Sequence, residues 1–282
     1  MFEKITNSWA LIKASGRVLL ADKELVVFPI ISAIGVLLVS ATFILPLLAA
    51  DMFDALLFGQ GRVLGYVMLF LFYVVQYTVI IFCNSALVGA ALIRLRGGDP
   101  TVRDGFRIAF AHLGQVVGYA LISATVGMIL RFISERGKLG ELVSSLVGMA
   151  WNVITYLAVP VLVVEDVGPI EAVKRSGALL KRTWGEQIVG NFGVGAIFGL
   201  ATVGVILIGA AGIFVAFSVE SALLGIVVIL AVVLALLGLG LLNATLSGIY
   251  SAAVYRYAAE GAIEGYFDDR LVQGAFRPKK GR

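Results

Sequence analysis

A chain of 282 residues that is 60% hydrophobic and only 14% charged, with a mean hydropathy of +1.00, carries more apolar surface than one water-facing domain of this size needs. Its net charge of +4 could suggest nucleic acid, but the cations sit in short loops beside apolar runs with no aromatic and basic platform, so that partner is excluded. One cysteine, Cys83, and one histidine, His112, exclude an intramolecular disulfide, a thiol cluster and a His-pair zinc site, and no metal or cofactor motif is present.

The N-terminal segment plots as an amphipathic helix, with Phe2, Ile5, Trp9, Ile12, Gly16 and Leu19 on one side and Glu3, Thr6 and Arg17 opposite. The first uncharged run, Leu25 to Ala50, starts behind Lys4, Lys13, Arg17, Asp22, Lys23 and Glu24, which is not the pattern of a secretory signal. A second run covers Val63 to Ile93. The next connection predicts another amphipathic helix, with Asp99 as its cap, Pro100 in its first turn and Val102, Phe106, Ala109, Phe110 and Leu113 on one face. Runs Leu113 to Leu130 and Leu142 to Val164 follow. Pro169 then opens a third amphipathic helix, with Ile170, Val173, Gly177, Leu180 and Trp184 facing one way and Glu171, Lys174, Arg175, Lys181 and Arg182 the other. The last runs, Ile188 to Val219 and Ser221 to Tyr255, are separated only around Ser218, Glu220 and Ser221. Each run reaches the roughly 18–20 residues that cross about 30 Å of hydrocarbon at 1.5 Å per residue.

These elements predict an all-α integral membrane protein: six transmembrane helices arranged as three hairpins, each preceded by a cytoplasmic amphipathic interfacial helix. The chain reads as one polytopic domain over 1–282, with units 1–93, 94–164 and 165–257 and a tail 258–282. Of the 22 lysines and arginines, only Arg62, Arg131, Arg136 and Lys138 fall on the far side of the spans. Cations are retained on the cytoplasmic side, so both termini are expected there, in a multi-pass protein of the inner (plasma) membrane.

The units share residues as well as hydropathy. Lys13-Ala-Ser15-Gly16-Arg-Val-Leu19 matches Lys174-Arg-Ser176-Gly177-Ala-Leu-Leu180, and Gln115-Val-Val-Gly118 matches Gln187-Ile-Val-Gly190, while the middle unit lacks the Lys-x-Ser-Gly element. Units that each run in, out and in again are parallel repeats. The same residues carry a resemblance. Trp9-x-x-x-Lys13-x-Ser15 with Leu20-x-Asp22-Lys23-Glu24-Leu25-x-x-Phe28-Pro29, and Val164-Glu165-Asp166-x-Gly168-Pro169-x-Glu171-Ala172-x-Lys174-Arg175-Ser176, resemble a family of uncharacterised bacterial and archaeal six-span membrane proteins. More distantly, the chain is similar to the membrane domain found beside some glycerophosphoryl diester phosphodiesterases. That resemblance implies a fold and no chemistry, because the catalytic barrel of those enzymes has no counterpart here.

No run holds Asp, Glu, Lys or Arg away from its ends, which argues against an ion-coupled midplane site. At depth lie Gln76, Asn84, Asn152 beside Trp151, Asn191, Asn243, Thr245 and Ser247; such groups either bond between helices or line a polar path. Pro160 supplies no N–H to the Tyr156 carbonyl and predicts a kink in the fourth span. Ser15 and Ser176 have no neighbouring histidine to activate them and read as capping or packing groups. Glu165 and Asp166 supply negative charge ahead of the third amphipathic helix. Glycine pairs at Gly61/Gly65, Gly114/Gly118 and Gly195/Gly199 suit close helix contact, within the bundle or in a homo-oligomer.

Two functions fit. The first is a non-enzymatic protein organising membrane lipids, anionic ones included, or a membrane partner protein, through a belt made of Lys13, Arg17, Arg103, Arg107, Lys174, Arg175, Lys181 and Arg182. The tail cations Arg277, Lys279, Lys280 and Arg282 add to that belt. The second is a channel or facilitator whose path is lined by Gln76, Asn84, Trp151, Asn152, Asn191 and Asn243.

Overall fold

The computed structural model describes residues 2–49, 62–184, 193–261 and 267. Asn191, the Gln187 to Gly190 copy of the repeated motif, Gly61 and the tail cations lie outside the described residues. Among the described residues ten α-helices follow one another: α1 Phe2–Ala21, α2 Val27–Ala49, α3 Arg62–Leu95, α4 Val102–Ala111, α5 Leu113–Ser134, α6 Lys138–Ile154, α7 Ala158–Val164, α8 Pro169–Trp184, α9 Gly193–Ser218 and α10 Ala222–Glu260. Six spans among the described residues are long and apolar enough to cross a membrane: α2, α3, α5, α6 with α7, α9 and α10.

The ends of these helices follow local chemistry. The second amphipathic helix does not start at Asp99. Thr101 caps it, its hydroxyl accepting from the Asp104 N–H at 3.3 Å while the Asp104 carboxylate takes the Thr101 N–H at 3.1 Å. Asp99 instead pairs with Arg94 at 2.6 Å, leaving Pro100 ahead of the helix. The turn between α9 and α10 sits where Ser218, Glu220 and Ser221 predict it: Glu220 adopts φ 51° and the Ser221 hydroxyl caps Leu224. The fourth span breaks after Ile154 and resumes at Ala158, four residues downstream, as Pro160 requires.

Helices α2 and α3, α5 and α6, and α9 and α10 pack as three hairpins, with α3 at the centre touching α2, α5, α7 and α10. At about 1.5 Å per residue, α3 and α10 run about 51 and 58 Å, far beyond a hydrocarbon layer of about 30 Å. Their surplus length builds the core. Ala86 to Leu92, Leu157 to Val163 and Ile249 to Tyr255 are buried together at the end where Asp22, Arg94, Glu165 and Glu260 gather, here termed the basic end. Towards the other end Leu207, Ile208, Phe214, Leu223 and Leu234 are exposed. Side chains there face hydrocarbon, so burial against protein brings no hydrophobic gain.

Each amphipathic helix packs on a hairpin: α4 on α3, α8 on α7 with α5 and α6, and α1 on α9 and α10. The first helix therefore joins the last hairpin to the first. The buried face is turned from the one that large apolar residues mark, although Ile12, Leu19, Val102, Phe106, Val173 and Leu180 of that face still pack against the core. In α1 it is Leu11, Ala14, Ser15 and Val18, in α4 Gly105 and Ala109, and in α8 Ala172, Ser176, Leu179 and Leu180. Trp9, Leu20, Phe110 and Ile170 stay exposed. Small residues admit a neighbouring helix, and a Cβ on Gly105 would come within 2.4 Å of the Phe28 ring and 2.7 Å of the Ala86 carbonyl oxygen.

Candidate functional site

Ion pairs and hydrogen bonds tie the three hairpins together at the basic end. Arg94, near the end of α3, faces Asp22 at 3.5 Å and donates to Asp99 and to the Ala21 carbonyl. Asp22 is 6% exposed, and its burial outweighs the attraction of Arg94, so its carboxyl titrates above the usual range. Glu24 accepts from the Val102 N–H at 2.9 Å and so anchors the start of α4 to the first span. Asp104 is held below the ordinary carboxylate range, first by the Thr101 hydrogen bonds and then by Arg107 and Arg103. Arg96 and Arg256 share Glu260, and Arg256 also donates to the Leu95 carbonyl. On the opposite flank Glu165 receives Arg175 at 2.9 Å and the Tyr255 hydroxyl at 3.2 Å.

The belt cations point outward from this frame. Lys13 lies 5.8 Å from the centre of the Trp9 ring, Arg107 pairs with Asp104, Arg175 with Glu165, and Arg182 donates to the Ala258 carbonyl. Arg17 is exposed. Arg103, Lys174 and Lys181 are exposed, and none of the three has a carboxylate partner among the described residues.

The described amides have three different surroundings. Gln76 donates to Ser40 at 2.8 Å across the first hairpin. Asn152 is exposed on α6, while its neighbour Trp151 is half-buried against the core. Asn84 and Asn243 are half-buried, and Asn243 accepts from Ser247 at 3.4 Å. The Lys-x-Ser-Gly serines are fully buried. Ser176 accepts the Leu157 N–H at 3.0 Å in the break of the fourth span, whereas the Ser15 hydroxyl has no partner among the described residues.

Sequence reasoning did not find a crevice of about 730 Å³ between α2, α3 and α10. Its walls change character along their length. Ser32, Asn84, Ser247 and Ser251 line the end nearer the basic face, and Val233, Leu236, Leu237, Gly240 and Leu241 line the rest. Asn84 has no hydrogen-bond partner among the described residues, and a Cβ on Gly240 would meet nothing within 4 Å. The crevice was invisible in the sequence because it forms where α10 stands away from the first hairpin. Gly240, with open space in front of it on an otherwise leucine-rich helix, was its trace in the sequence.

Among the described residues, no three His, Cys, Asp or Glu side chains come together as a metal cluster. A search of the curated proteins finds no match, and a search of the solved structures finds none. Neither search shows the expected link to the phosphodiesterase-associated membrane domain. Residues 63–265, well over half of the chain, match a family of unknown function, DUF6159, and the chain belongs to that family.

Proposed function

We propose that this multi-pass membrane protein is non-enzymatic and gathers anionic lipid, or a membrane partner, at a cytoplasmic belt formed by α1, α4 and α8. The observation that carries the reading is the way these helices are seated. Small residues such as Ala14, Ser15, Gly105, Ala172 and Ser176 help seat them on the hairpins, and Trp9, Leu20, Phe110 and Ile170 are left exposed on the same helices as the exposed cations Lys13, Arg103, Lys174 and Lys181. Large apolar residues flanked by lysine and arginine suit the boundary between acyl chains and headgroups. Attraction to anionic lipid amounts to about 1 kcal/mol per cation near the surface, so several fixed cations add up. The seating of α1 on the last hairpin, α4 on the first and α8 on the second supports a threefold repeat and a continuous belt. The excess of cations at this end supports its cytoplasmic placement.

The polar-path alternative draws less support, because Gln76 is bonded within its hairpin and Asn152 faces outward. The belt is tested in nanodiscs of mixed phosphatidylglycerol and phosphatidylcholine by measuring which lipids co-purify. The native chain should enrich phosphatidylglycerol, less so at high salt. Reversing Lys174, Arg175, Lys181 and Arg182 to glutamate should remove the enrichment, and reversing Arg131, Arg136 and Lys138 should not. Unchanged selectivity in the first variant sinks the reading.

A further inference from the structure

The crevice between α2, α3 and α10 has properties the belt does not explain. We propose that it binds one lipid with long chains and a small uncharged head bearing hydroxyl or carbonyl groups, of the diacylglycerol or long-chain alcohol class.

Its polarity is graded. From Val233 to Ala244 the α10 wall is apolar over 11 residue steps, or about 16 Å, which is half of a hydrocarbon layer of about 30 Å and thus the depth of one leaflet. Beyond it, towards the basic end, come Ser247 and Ser251, faced by Asn84 on α3 and Ser32 on α2. About 20 residues of helix cross the layer, so counting from Arg62 at the far end of α3 puts the inner boundary close to Asn84. This is the depth at which a glycerol or alcohol head sits. An amide left without a partner at such a depth is costly, and Asn84 has none among the described residues.

The head must be small, because the crevice stops at the core. Leu25, Phe28, Leu87, Val88 and Tyr255 are buried between its polar end and the basic face. It must also be uncharged, because the lining contains no carboxylate, ammonium, guanidinium or imidazole group. A phosphate placed there would lose its water without gaining a cation. Hydroxyls and carbonyls, by contrast, match the donors and acceptors of Asn84, Ser32 and Ser247. The volume of about 730 Å³ lies within the range of small-ligand sites, roughly 300–1,000 Å³.

The test uses the full chain in nanodiscs containing a trace of photoactivatable diacylglycerol or, separately, photoactivatable phosphatidylglycerol, followed by peptide mapping of the crosslinks. Diacylglycerol should label Ile80 to Leu87 and Val233 to Ser251 at least tenfold above phosphatidylglycerol. Gly240→Trp should abolish that labelling, since the space in front of Gly240 is open and replacing a helical glycine favours folding. Ala244→Leu is a second, smaller plug at the same wall and should lower labelling if the tryptophan variant does not fold. Asn84→Leu should weaken labelling by diacylglycerol while leaving labelling by a headless alkane probe intact. Equal labelling by phosphatidylglycerol, labelling spread over the outer faces of α5 and α9, or labelling undiminished in both plugged variants overturns the proposal. The two sites separate cleanly, because the glutamate variant of the belt should retain crevice labelling and the plugged variants should retain enrichment of phosphatidylglycerol.

Discussion

The Ser176 hydroxyl accepts the Leu157 N–H at 3.0 Å, so an amphipathic helix outside the spans supplies the partner that a broken span cannot supply for itself. With Pro160 three residues on, the fourth span cannot run straight, and Ser176 satisfies a backbone donor freed by the break.

Replacing Ser176 by alanine should therefore leave a buried N–H unpaired and cost about 1–3 kcal/mol, seen as a lower melting temperature in detergent and faster hydrogen exchange at Leu157. Ser15→Ala, at the matching position of α1, should be close to neutral, because no described group bonds to its hydroxyl.

Asp22 gives the protein a signed pH dependence. Its carboxyl titrates higher in the folded chain than the ordinary 3.8, so folding holds the proton more tightly than the unfolded chain does. The associated stability is present below pH 3.8 and is lost as pH rises through the folded value. Asp22→Asn should flatten this part of the melting-temperature profile. Arg94→Met should widen it and, by stranding a buried carboxylate, lower stability by about 2–4 kcal/mol at neutral pH, with Asp22→Asn restoring most of the loss.

Gly105 is the point where α4 meets the first hairpin. Gly105→Val should cost about 1–3 kcal/mol or more and expose the Arg96 to Thr101 connection to protease, because one of the atoms in the way is a backbone oxygen that cannot rotate aside. Gly114→Ala, with nothing within 4 Å, should be tolerated.

Two amides that look alike in sequence should behave differently. Gln76→Leu loses the bond to Ser40 and should cost about 0.5–2 kcal/mol in thermal unfolding. Asn152→Leu replaces an exposed amide on an apolar helix and should raise the melting temperature. A fall for Asn152→Leu would revive the polar-path reading.

Much of the site chemistry could be read in advance because it is local. Pro160 announced the break, and Pro169 opened α8 where expected. The cap of α4 was misplaced by two residues because Asp99 and Thr101 are both good caps, and only the ion pair of Asp99 with Arg94 decides between them. The faces of the amphipathic helices were legible only in part, for a different reason. Periodicity weights large apolar residues, whereas helix contact also admits small ones, so Ala14, Ser15, Ala172 and Ser176 went inward beside Leu11, Val18, Leu179 and Leu180, and Trp9 and Ile170 outward.

By itself the sequence determined the membrane class, the six spans, their pairing into hairpins and the lopsided distribution of cations, because uncharged run length and local charge act along the chain. The tertiary structure alone decided that the core lies at the basic end, that α1 closes onto α9 and α10, and that Asn84, Ser247 and Ser251 line a crevice together. Those outcomes depend on where surplus helix length meets other helices across the chain, and no pattern within a single helix encodes them.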